Sequence, residues 1–245
     1  NNIMENNFKN KNVLITGGVE GIGFQCAKKF EELGSNVYVT CLTNKSYDKF
    51  ISLDLKKNIQ IEKLDLTNDI SIEKLYKKID KLDILINNAV LLKGGIEYRI
   101  ENFADVVNVN LMGLMRICHT FLPKLALASG NIVNIGSINM KLALPTCPSY
   151  SATKSAVESL TKSMAVCWAE HKVRVNCVAP GWIKGNTTKK IINELDNQEN
   201  VLNRIPLKRY GLSSEVAEAI MFLSSEKAAY ITGTTIFVDG GYSIN

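Results

Sequence analysis

Residues 13–23 read Val-Leu-Ile-Thr-Gly-Gly-Val-Glu-Gly-Ile-Gly, an apolar run that passes directly into a cluster of glycines. Apolar residues at helical spacing continue from Ile22 to Leu33, and Gly34 is placed to end the helix. Between a strand and a helix, glycines let the turn tighten and let backbone N–H groups approach a pyrophosphate. The helix N-terminus adds oriented donors and a partial positive charge. Many tight turns need glycine, but a cluster in this position predicts a phosphate-binding turn for a dinucleotide.

Short apolar runs and amphipathic helical patterns alternate along the rest of the chain. Strands are predicted at Asn12–Thr16, Asn36–Thr40, Ile59–Leu64, Leu82–Asn87, Asn131–Gly136, Val173–Val178 and Thr235–Val238. Helices are predicted at Gly21–Leu33, Lys45–Leu53, Ser71–Asp80, Asn102–Leu125, Tyr150–Glu170 and Glu215–Ser224. Apolar strands that alternate with helices indicate a parallel sheet covered on both faces. We therefore predict the α/β class, with one Rossmann-type domain over residues 1–245 and a doubly wound parallel sheet of about seven strands.

Residues 182–205 depart from this rhythm. The segment is polar and rich in asparagine, with a weak helical stretch near Lys189–Leu195. It lies between the sixth predicted strand and the last predicted helix. Its length and composition are those of a mobile substrate lid.

Composition and charge exclude several other classes of protein. The 245 residues carry a formal net charge of +5, spread along the chain without a basic stripe, so no nucleic-acid partner is expected. No apolar run is long enough to span a bilayer, so no membrane partner is expected. The six cysteines form no Cys-x-x-Cys pair and lack zinc-ligand spacing, which predicts no metal site and reduced thiols in a cytoplasmic protein.

Tyr150 and Lys154 lie four residues apart at the start of a predicted helix, so they share one face. A tyrosine with its ordinary pKa of about 10 is a poor acid or base near neutrality. A neighbouring ammonium would stabilise the phenolate and lower the pKa of Tyr150, as general acid–base catalysis requires. Most Tyr-x-x-x-Lys pairs are surface neighbours on a helix, so the pair gains meaning only from its surroundings.

Ser137 follows directly on the fifth predicted strand, at the carboxyl end where open α/β sheets bind their ligands. Its hydroxyl could donate a hydrogen bond to a substrate carbonyl and stabilise developing negative charge. A serine that merely caps a loop would be the default interpretation without Tyr150 downstream.

Asn110 interrupts an apolar helical stripe. The stripe comprises Phe103, Val106, Val107, Leu111, Leu114, Ile117, Cys118, Phe121, Leu122 and Leu125. A buried amide is costly unless it is hydrogen-bonded, so Asn110 has either a structural partner or a catalytic task.

Together these residues resemble the short-chain dehydrogenase/reductase family. The spacing Thr16-Gly17-x-x-x-Gly21-x-Gly23 is that of this family rather than of the more widespread G-x-G-x-x-G fingerprint. Further family motifs follow in order: Asn87-Asn88-Ala89, Asn110, Ser137, Tyr150-x-x-x-Lys154, Pro180-Gly181 and Val238-Asp239-Gly240-Gly241. The resemblance covers nearly the whole chain. Around Tyr150 and at the carboxyl end, the pattern is closest to 3-oxoacyl-[acyl-carrier-protein] reductases.

The resemblance implies an NAD(P)(H)-dependent oxidoreductase that interconverts a ketone and a secondary alcohol of a small-molecule substrate by hydride transfer. In the implied catalytic set, Tyr150 protonates the carbonyl oxygen and Ser137 polarises it. Lys154 lowers the pKa of Tyr150 and binds the hydroxyls of the nicotinamide ribose, while Asn110 binds a water that relays protons to Lys154. The implied cofactor-binding residues are Gly17, Val19, Gly21, Ile22, Gly23, Asp65, Leu66, Asn87, Ala89, Tyr150, Lys154, Pro180, Gly181 and Ile183.

Two positions depart from the family pattern. Val90 stands where glycine is usual after Asn-Asn-Ala, and a β-branched residue there should narrow the space near the cofactor or shift the loop. Gly185 replaces a threonine that often touches the carboxamide, a contact that Thr187 or Thr188 could supply instead.

The choice between NAD and NADP rests on few residues. No acid stands in Cys41-Leu42-Thr43 at the end of the second strand, where NAD enzymes bind the ribose 2′-hydroxyl. Lys45 could meet a 2′-phosphate, whereas Glu20 stands where NADP enzymes of the family often carry a base. Taken together, these residues slightly favour NADP as the cofactor.

Three further expectations concern substrate, assembly and a rival function. The apolar residues Leu91, Leu92, Leu142, Leu144 and Trp182 favour an apolar or acyl-like substrate over a sugar. Apolar residues on more than one face of the two long helices, namely Met115, Leu160, Met164 and Trp168, predict a homotetramer, as the resemblance also implies. The rival class is a non-catalytic dinucleotide-binding redox sensor on the same fold, but such proteins typically lose part of the catalytic set.

Overall fold

The computed structural model describes residues 7–52, 58–185, 188 and 198–245. Within them, seven strands form one sheet in the order β3-β2-β1-β4-β5-β6-β7, and every neighbouring pair is parallel. The strands are β1 Asn12–Thr16, β2 Asn36–Cys41, β3 Ile59–Lys63, β4 Ile84–Asn87, β5 Asn131–Ile135, β6 Arg174–Pro180 and β7 Thr235–Val238. The strand order reverses between β1 and β4. Open α/β sheets bind ligands at such a switch point, beyond the carboxyl ends of the strands.

Helices connect the strands and lie on both faces of the sheet. They are α1 Gly21–Glu32, α2 Asn44–Ile51, α3 Asp69–Lys78, α4 Ile100–Val107, α5 Leu114–Leu127, α6 Pro148–Cys167, α7 Gln198–Arg204 and α8 Ser213–Ser224. A π-helical segment, Asn108–Gly113, joins α4 to α5 without a break. Short 3-10 helices occupy Gly94–Ile96, Ile138–Met140, Ala169–His171, Glu226–Ala228 and Tyr242–Ile244.

Strand β1 shows why the sheet is buried on both sides. Successive side chains of a strand point to opposite faces, and those of Val13 and Ile15 enter one core cluster while that of Leu14 enters the other. All three are fully buried. Helices α1 and α8 cover the first face, and α3, α5 and α6 cover the second. Fully burying one such side chain stabilises the fold by about 1.5–3 kcal/mol, so β1 anchors both halves of the core.

The predicted fold class is confirmed, and the predicted strand bounds agree with the structure to within two residues. The helix predicted over 102–125 is confirmed as a continuous helical stretch from Ile100 to Leu127, but the π-helical segment inside it was not predicted. Hydrophobic spacing continues through this segment, so periodicity alone could not reveal the change in hydrogen bonding.

The predicted lid segment, residues 182–205, is described only in part. Its predicted helical stretch, Lys189–Leu195, lies outside the described residues, as does Thr187. At its start, Ile183 pairs with Gly211 in an isolated parallel bridge. At its end, α7 covers Gln198–Arg204.

The apolar residues expected to make the long helices self-associate are not exposed. Met164 and Trp168 belong to the core cluster beneath α5 and α6, and Met115 and Leu160 pack against it. The expectation of a second apolar face is therefore wrong for Met164 and Trp168, whereas Met115 and Leu160 remain partly accessible. The exposed apolar residues of this helical region are instead Ile100, Met112, Leu127 and Val166.

Three structural findings bear on partners and compartment. In the described ranges, no helix combines the length and apolar character that crossing a bilayer requires. Those ranges also contain no group of three or more His, Cys, Asp or Glu residues that could hold a metal ion. All six cysteines are described, none forms a disulfide, and only Cys167 is exposed.

Candidate active site

The glycine turn between β1 and α1 is closed on one side and open on the other. A Cβ on Gly17, whose φ is +63°, would lie 2.9 Å from the Cα atom of Ala89, and a Cβ on Gly23 would lie 2.9 Å from the Gly17 carbonyl oxygen. Gly21 also has a positive φ, +57°, but a Cβ there would meet nothing within 4 Å. Packing therefore requires Gly17 and Gly23, whereas Gly21 borders open space from which a ligand can approach the backbone.

Thr16 and Asn88 fasten this turn to the end of β4. The backbone N–H groups of Asn88 and Ala89 donate to the Thr16 hydroxyl at 3.1 and 3.0 Å. The Asn88 side-chain amide donates to the carbonyl oxygens of Thr16 at 3.1 Å and Gly17 at 2.8 Å. Sequence reasoning quoted Asn88 as part of a motif but did not place it among the site residues. Its position directly after β4 was the available signal.

Ser137 lies two residues beyond the end of β5, where the sequence predicts a carbonyl-binding hydroxyl. It is buried, and its hydroxyl oxygen accepts a hydrogen bond from the backbone N–H of Asn139 at 3.1 Å. The same hydroxyl is hydrogen-bonded to the phenol of Tyr150. The structure thus brings together the two hydroxyls that the sequence assigns to the substrate oxygen.

Tyr150 is the third residue of α6, in the first helical turn. Removal of its phenol from water raises the pKa of Tyr150 above its ordinary value. The hydrogen bond from Ser137 opposes this rise, while the charges of Cys147 and Glu97 add to it. The phenol therefore keeps its proton at neutral pH.

Lys154 follows one turn later, but it does not act on Tyr150 as the sequence predicts. Its Nζ atom donates to the carbonyl oxygen of Ile135 at 2.6 Å and lies 5.6 Å from the centroid of the Tyr150 ring. Burial lowers the pKa of Lys154 to about 8. The expected lowering of the Tyr150 pKa is not met in this arrangement, because desolvation of the phenol dominates and raises it.

Asn110 lies in the π-helical segment, and its side chain has structural partners. Its Oδ1 atom accepts from the backbone N–H of Leu91 at 2.7 Å, and its Nδ2 atom donates to the Leu91 carbonyl oxygen at 2.9 Å. Nδ2 also lies 3.4 Å from the Thr153 hydroxyl, on the helix of Tyr150. Segments of π-helix are frequent at functional sites. Here the segment ties the loop after β4 to the helix of Tyr150.

Two predicted cofactor contacts turn their side chains into the core. The Asn87 side-chain amide donates to the Asn134 side-chain oxygen at 2.8 Å and lies 3.0 Å from the Cys118 sulfur. Leu66 is buried, and a Cβ on Gly113 would lie 2.7 Å from its own Cβ atom. Any contact of Asn87 or Leu66 with a cofactor would therefore use backbone atoms.

Three further predicted cofactor contacts, Asp65, Pro180 and Gly181, lie at the carboxyl ends of β3 and β6. Asp65 accepts from the backbone and hydroxyl of Thr67 at 2.8 and 2.7 Å. Pro180 ends β6, and the Gly181 N–H donates to the carbonyl of Val238 at 3.0 Å. Because all the strands are parallel, both places lie at the same edge of the sheet as the switch point.

The other predicted positions are partly buried or exposed. Val19, Ile22 and Ile183 pack partly buried against the core. Val90 is 47% exposed, so its branched side chain is accommodated at the surface. A Cβ on Gly185 would meet nothing within 4 Å, so the missing threonine leaves open space.

The site fits a dinucleotide on structural grounds. Gly21 is open to a ligand, and it begins α1, whose preceding residue Glu20 makes no side-chain capping bond. The first backbone N–H groups of the helix thus have no capping partner from that side chain and can donate to phosphate. The glycine turn lies at the switch point between β1 and β4. Lys154 lies at the end of β5, on the other side of β4, and Tyr150 is on the same helix as Lys154. These residues can hold NAD(P).

A cavity of about 570 Å³ lies beyond Ser137, within the range typical of small-molecule sites. Its lining is largely apolar, and the other lining residues are Asn139, Asn203, Arg204 and Asn245. The apolar members are Ile138, Leu142, Ala143, Leu144, Pro145, Trp182, Val201 and Tyr242. The Trp182 indole N–H is buried without a hydrogen-bond partner. The apolar lining together with Arg204 therefore suits an apolar ligand that carries a negative charge.

The end of β2 combines hydroxyls with basic side chains. Thr43 caps α2 by accepting from the backbone N–H of Ser46 at 3.2 Å, and Lys45 is exposed beside it. Lys63, which sequence reasoning did not single out, donates to the side chain of Asn44 and lies 5.4 Å from the centroid of the Tyr47 ring.

Glu97 is a further residue that the sequence did not reveal. It is fully buried, and its Oε2 atom accepts from the backbone N–H of Tyr150 at 2.9 Å. A lone acid in a loop gives no sequence signal of this contact.

Comparisons with known proteins agree with this geometry. A family model described as enoyl-(acyl carrier protein) reductase matches residues 17–243. The 3-oxoacyl-[acyl-carrier-protein] reductase FabG of Rickettsia bellii is 36% identical over 231 residues, which cover 93% of this chain and 95% of the relative. Dehydrogenase/reductase SDR family member 6 of Aquarana catesbeiana is 34% identical over 243 residues, covering 96% and 98%.

Solved structures show the same architecture. The crystal structure of gox2181 superposes with a TM-score of 0.91 at 25% identity and covers 99% of both chains. A structure described as a short chain dehydrogenase/reductase family protein gives a TM-score of 0.86 at 29% identity, covering 97% of this chain and 99% of the other.

Proposed function

The chain belongs to the short-chain dehydrogenase/reductase family, and on that premise we propose that it reduces the ketone of a 3-oxoacyl-type substrate to a secondary alcohol. It is an NAD(P)-dependent oxidoreductase of CH–OH and C=O groups. The observation that carries the proposal is the convergence of the Ser137 and Tyr150 hydroxyls beside an apolar cavity.

Tyr150 is the proposed proton donor and Ser137 its partner on the substrate oxygen. When bound, the nicotinamide supplies the hydride. The Tyr150 hydroxyl transfers its proton to the carbonyl oxygen, and the raised pKa of Tyr150 keeps that proton in place at neutral pH. The Ser137 hydroxyl donates a hydrogen bond to the same oxygen and stabilises the charge that develops there.

Lys154 and Asn110 have supporting roles in this proposal. The Lys154 ammonium, buried beside the Ile135 carbonyl, would hold the nicotinamide ribose hydroxyls. Asn110 fixes Leu91 through two hydrogen bonds and so shapes the loop that follows β4. The proton relay assigned to Asn110 remains a proposal, since its side-chain amide is engaged with protein groups.

The substrate class rests on the cavity. An acyl chain would pack against Leu142, Leu144 and Trp182, and the charge of Arg204 in the lining would favour a substrate with an anionic group. The relatives named 3-oxoacyl-[acyl-carrier-protein] reductase support the same class. We propose that residues 182–205, whose described ends contribute Trp182, Val201 and Arg204 to this lining, cover the substrate within a single domain.

NADP is the proposed preferred cofactor. The absence of an acid in Cys41–Thr43 removes a group that would repel a 2′-phosphate. Lys45 is exposed at the start of α2, and Lys63 stands beside Asn44. Glu20 weighs against this preference.

A homotetramer and a cytoplasmic location complete the proposal. The exposed apolar side chains of Ile100, Met112 and Val166, on the π-helix and the two helices beside it, support self-association. Cysteines outside disulfides support a reducing compartment.

Replacement of Tyr150 by phenylalanine tests the proposed reaction. Tyr150→Phe removes only the hydroxyl, so turnover of a 3-oxoacyl thioester should fall by about 10²–10⁴-fold. Cofactor affinity should stay within twofold. Tyr230→Phe, at a fully exposed position, is the matched control. A Tyr150→Phe enzyme that retains most of its activity in stopped-flow NADPH oxidation would refute the mechanism.

A further inference from the structure

Glu97 is a fully buried acid whose side chain is satisfied by three donors. Its Oε1 atom accepts from the backbone N–H of Lys93 at 2.9 Å. Its Oε2 atom accepts from the Ser149 hydroxyl at 2.6 Å and from the Tyr150 backbone N–H at 2.9 Å. Burial of a carboxylate costs free energy unless such hydrogen bonds are made. The three donors must therefore stay in place around Glu97.

Two of those donors belong to the first turn of α6. The first N–H groups of a helix have no partner within the helix and need a cap. The residue that precedes α6, Cys147, makes no side-chain capping bond. Glu97 takes that place from a loop 53 residues earlier in the chain. Negative charge at a helix N-terminus is also favoured by the helix dipole.

The loop that carries Glu97 is itself fixed to the π-helical segment. Asn110 bonds the backbone of Leu91 on both sides, and Glu97 bonds the backbone of Lys93. The segment 91–97 therefore connects Asn110 to Tyr150, the proposed proton donor.

We propose that Glu97 is a positioning residue for proton transfer, holding the first turn of α6 so that the Tyr150 phenol stays aligned with the Ser137 hydroxyl. The proposal rests on the proposed roles of Tyr150 and Ser137. The Glu97 side chain is fully buried, and its hydrogen bonds are made with protein groups. It acts through the backbone of Tyr150.

Electrostatics support the same arrangement. Desolvation raises the pKa of Tyr150, and the charge of Glu97 raises it further. The other groups that face this phenol are Ser137 after β5 and Cys147 before α6, with Lys154 one turn along. Removal of the Glu97 charge lowers the pKa of Tyr150, so the protonated phenol that reduction requires is lost at lower pH.

Glu97→Gln in the full chain tests the proposal, because it keeps the shape of the side chain and removes its charge. We expect kcat for reduction to fall about tenfold to a hundredfold, the scale of a misplaced catalytic group. The dissociation constant for NADPH should change less than twofold. The alkaline limb of the pH profile of kcat should move to lower pH. Glu170→Gln, at an exposed position, is the matched control.

Two outcomes overturn the proposal. One is an unchanged kcat, and the other is a fall in kcat with lower thermal stability but an unmoved alkaline limb, which would make Glu97 merely structural. If Glu97→Gln does not fold, Ser149→Ala removes one donor and leaves the carboxylate in place. A reduced kcat with unchanged NADPH affinity then supports the proposal, and a wild-type kcat overturns it. Tyr150→Phe, assayed in parallel, distinguishes failure of the Glu97 proposal from failure of the proposed function. Retained activity in Tyr150→Phe would refute the proposed function itself.

Discussion

The side-chain amide of Asn88 donates a hydrogen bond to the carbonyl oxygen of Gly17 at 2.8 Å. This bond joins the residue after β4 to the first glycine of the turn after β1, across the point where the strand order reverses. The turn cannot open without breaking it. The shape of the phosphate-binding turn is thus set partly by a residue from the neighbouring strand.

Asn88→Ala should loosen the glycine turn. The change leaves the carbonyl oxygens of Thr16 and Gly17 without this donor, at a cost of about 1–3 kcal/mol for each group that stays buried. We expect NADPH to bind about tenfold more weakly in a fluorescence titration. Asn36→Ala, at the exposed amino end of β2, should bind NADPH normally. Unchanged affinity in Asn88→Ala would show that the turn holds its shape without the clamp.

Alanine substitutions at Gly17 and Gly21 should have different effects. Both residues have positive φ, but only at Gly17 would the new Cβ collide with protein, at 2.9 Å from the Cα atom of Ala89. Gly17→Ala should therefore lower the melting temperature most, while Gly21→Ala should mainly weaken NADPH binding. Gly95→Ala, where a Cβ meets nothing within 4 Å, is the control. Equal losses of stability in the two variants would contradict this difference.

The order of strands and helices could be predicted from the sequence because each strand is a short apolar run bounded by turn residues. Strand β1 is the clearest case, because three apolar residues and a threonine, residues 13–16, are followed directly by Gly17. The π-helical segment could not be predicted in this way. Its apolar spacing continues without a break, and the bond that its Asn110 makes with Leu91 joins residues 19 apart in sequence.

The sequence named candidate site residues but could not give their contacts, and it did not reveal Glu97. Spacing placed Tyr150 and Lys154 on one helical face, but the acceptor that holds Lys154 is a carbonyl at the end of β5. Glu97 gave no signal because its two donors on α6 lie 52 and 53 residues away. Such contacts are properties of the assembled sheet, and local pattern does not encode them.

Lys45→Ala should discriminate between the two cofactors. If the Lys45 ammonium meets the 2′-phosphate, its loss should weaken NADPH binding about fivefold, the scale of one exposed charge pair, and leave NADH binding unchanged. Lys49→Ala, on the same helix and also exposed, is the control. Titration of the wild-type protein decides the preference, and NADH binding tenfold tighter than NADPH would refute it.

Sedimentation at micromolar concentration should give a species of four times the chain mass. Val166, which is 81% exposed on α6, is the apolar side chain whose burial we expect on assembly. Val166→Glu should shift the protein to smaller species, whereas Ile70→Glu, at an exposed position on α3, should not. A wild-type protein that sediments as a monomer would contradict the proposed assembly.

Cofactor binding should depend on the charge of Lys154. Burial lowers the pKa of Lys154 to about 8, so the free enzyme carries the ammonium below that pH and loses it above. The anionic cofactor and its ribose hydroxyls favour the charged form, so by linkage NADPH affinity is constant below about pH 8 and falls as the pH rises. Lys154→Met should bind NADPH more weakly at every pH and should show no such fall. Lys227→Met, at an exposed position, should retain the wild-type profile. Fluorescence titrations between pH 6.5 and 9.5 measure this dependence (about one and a half pH units on either side of the Lys154 pKa). A wild-type affinity that stays flat across the range, with Lys154→Met equally tight, would show that this ammonium does not hold the cofactor.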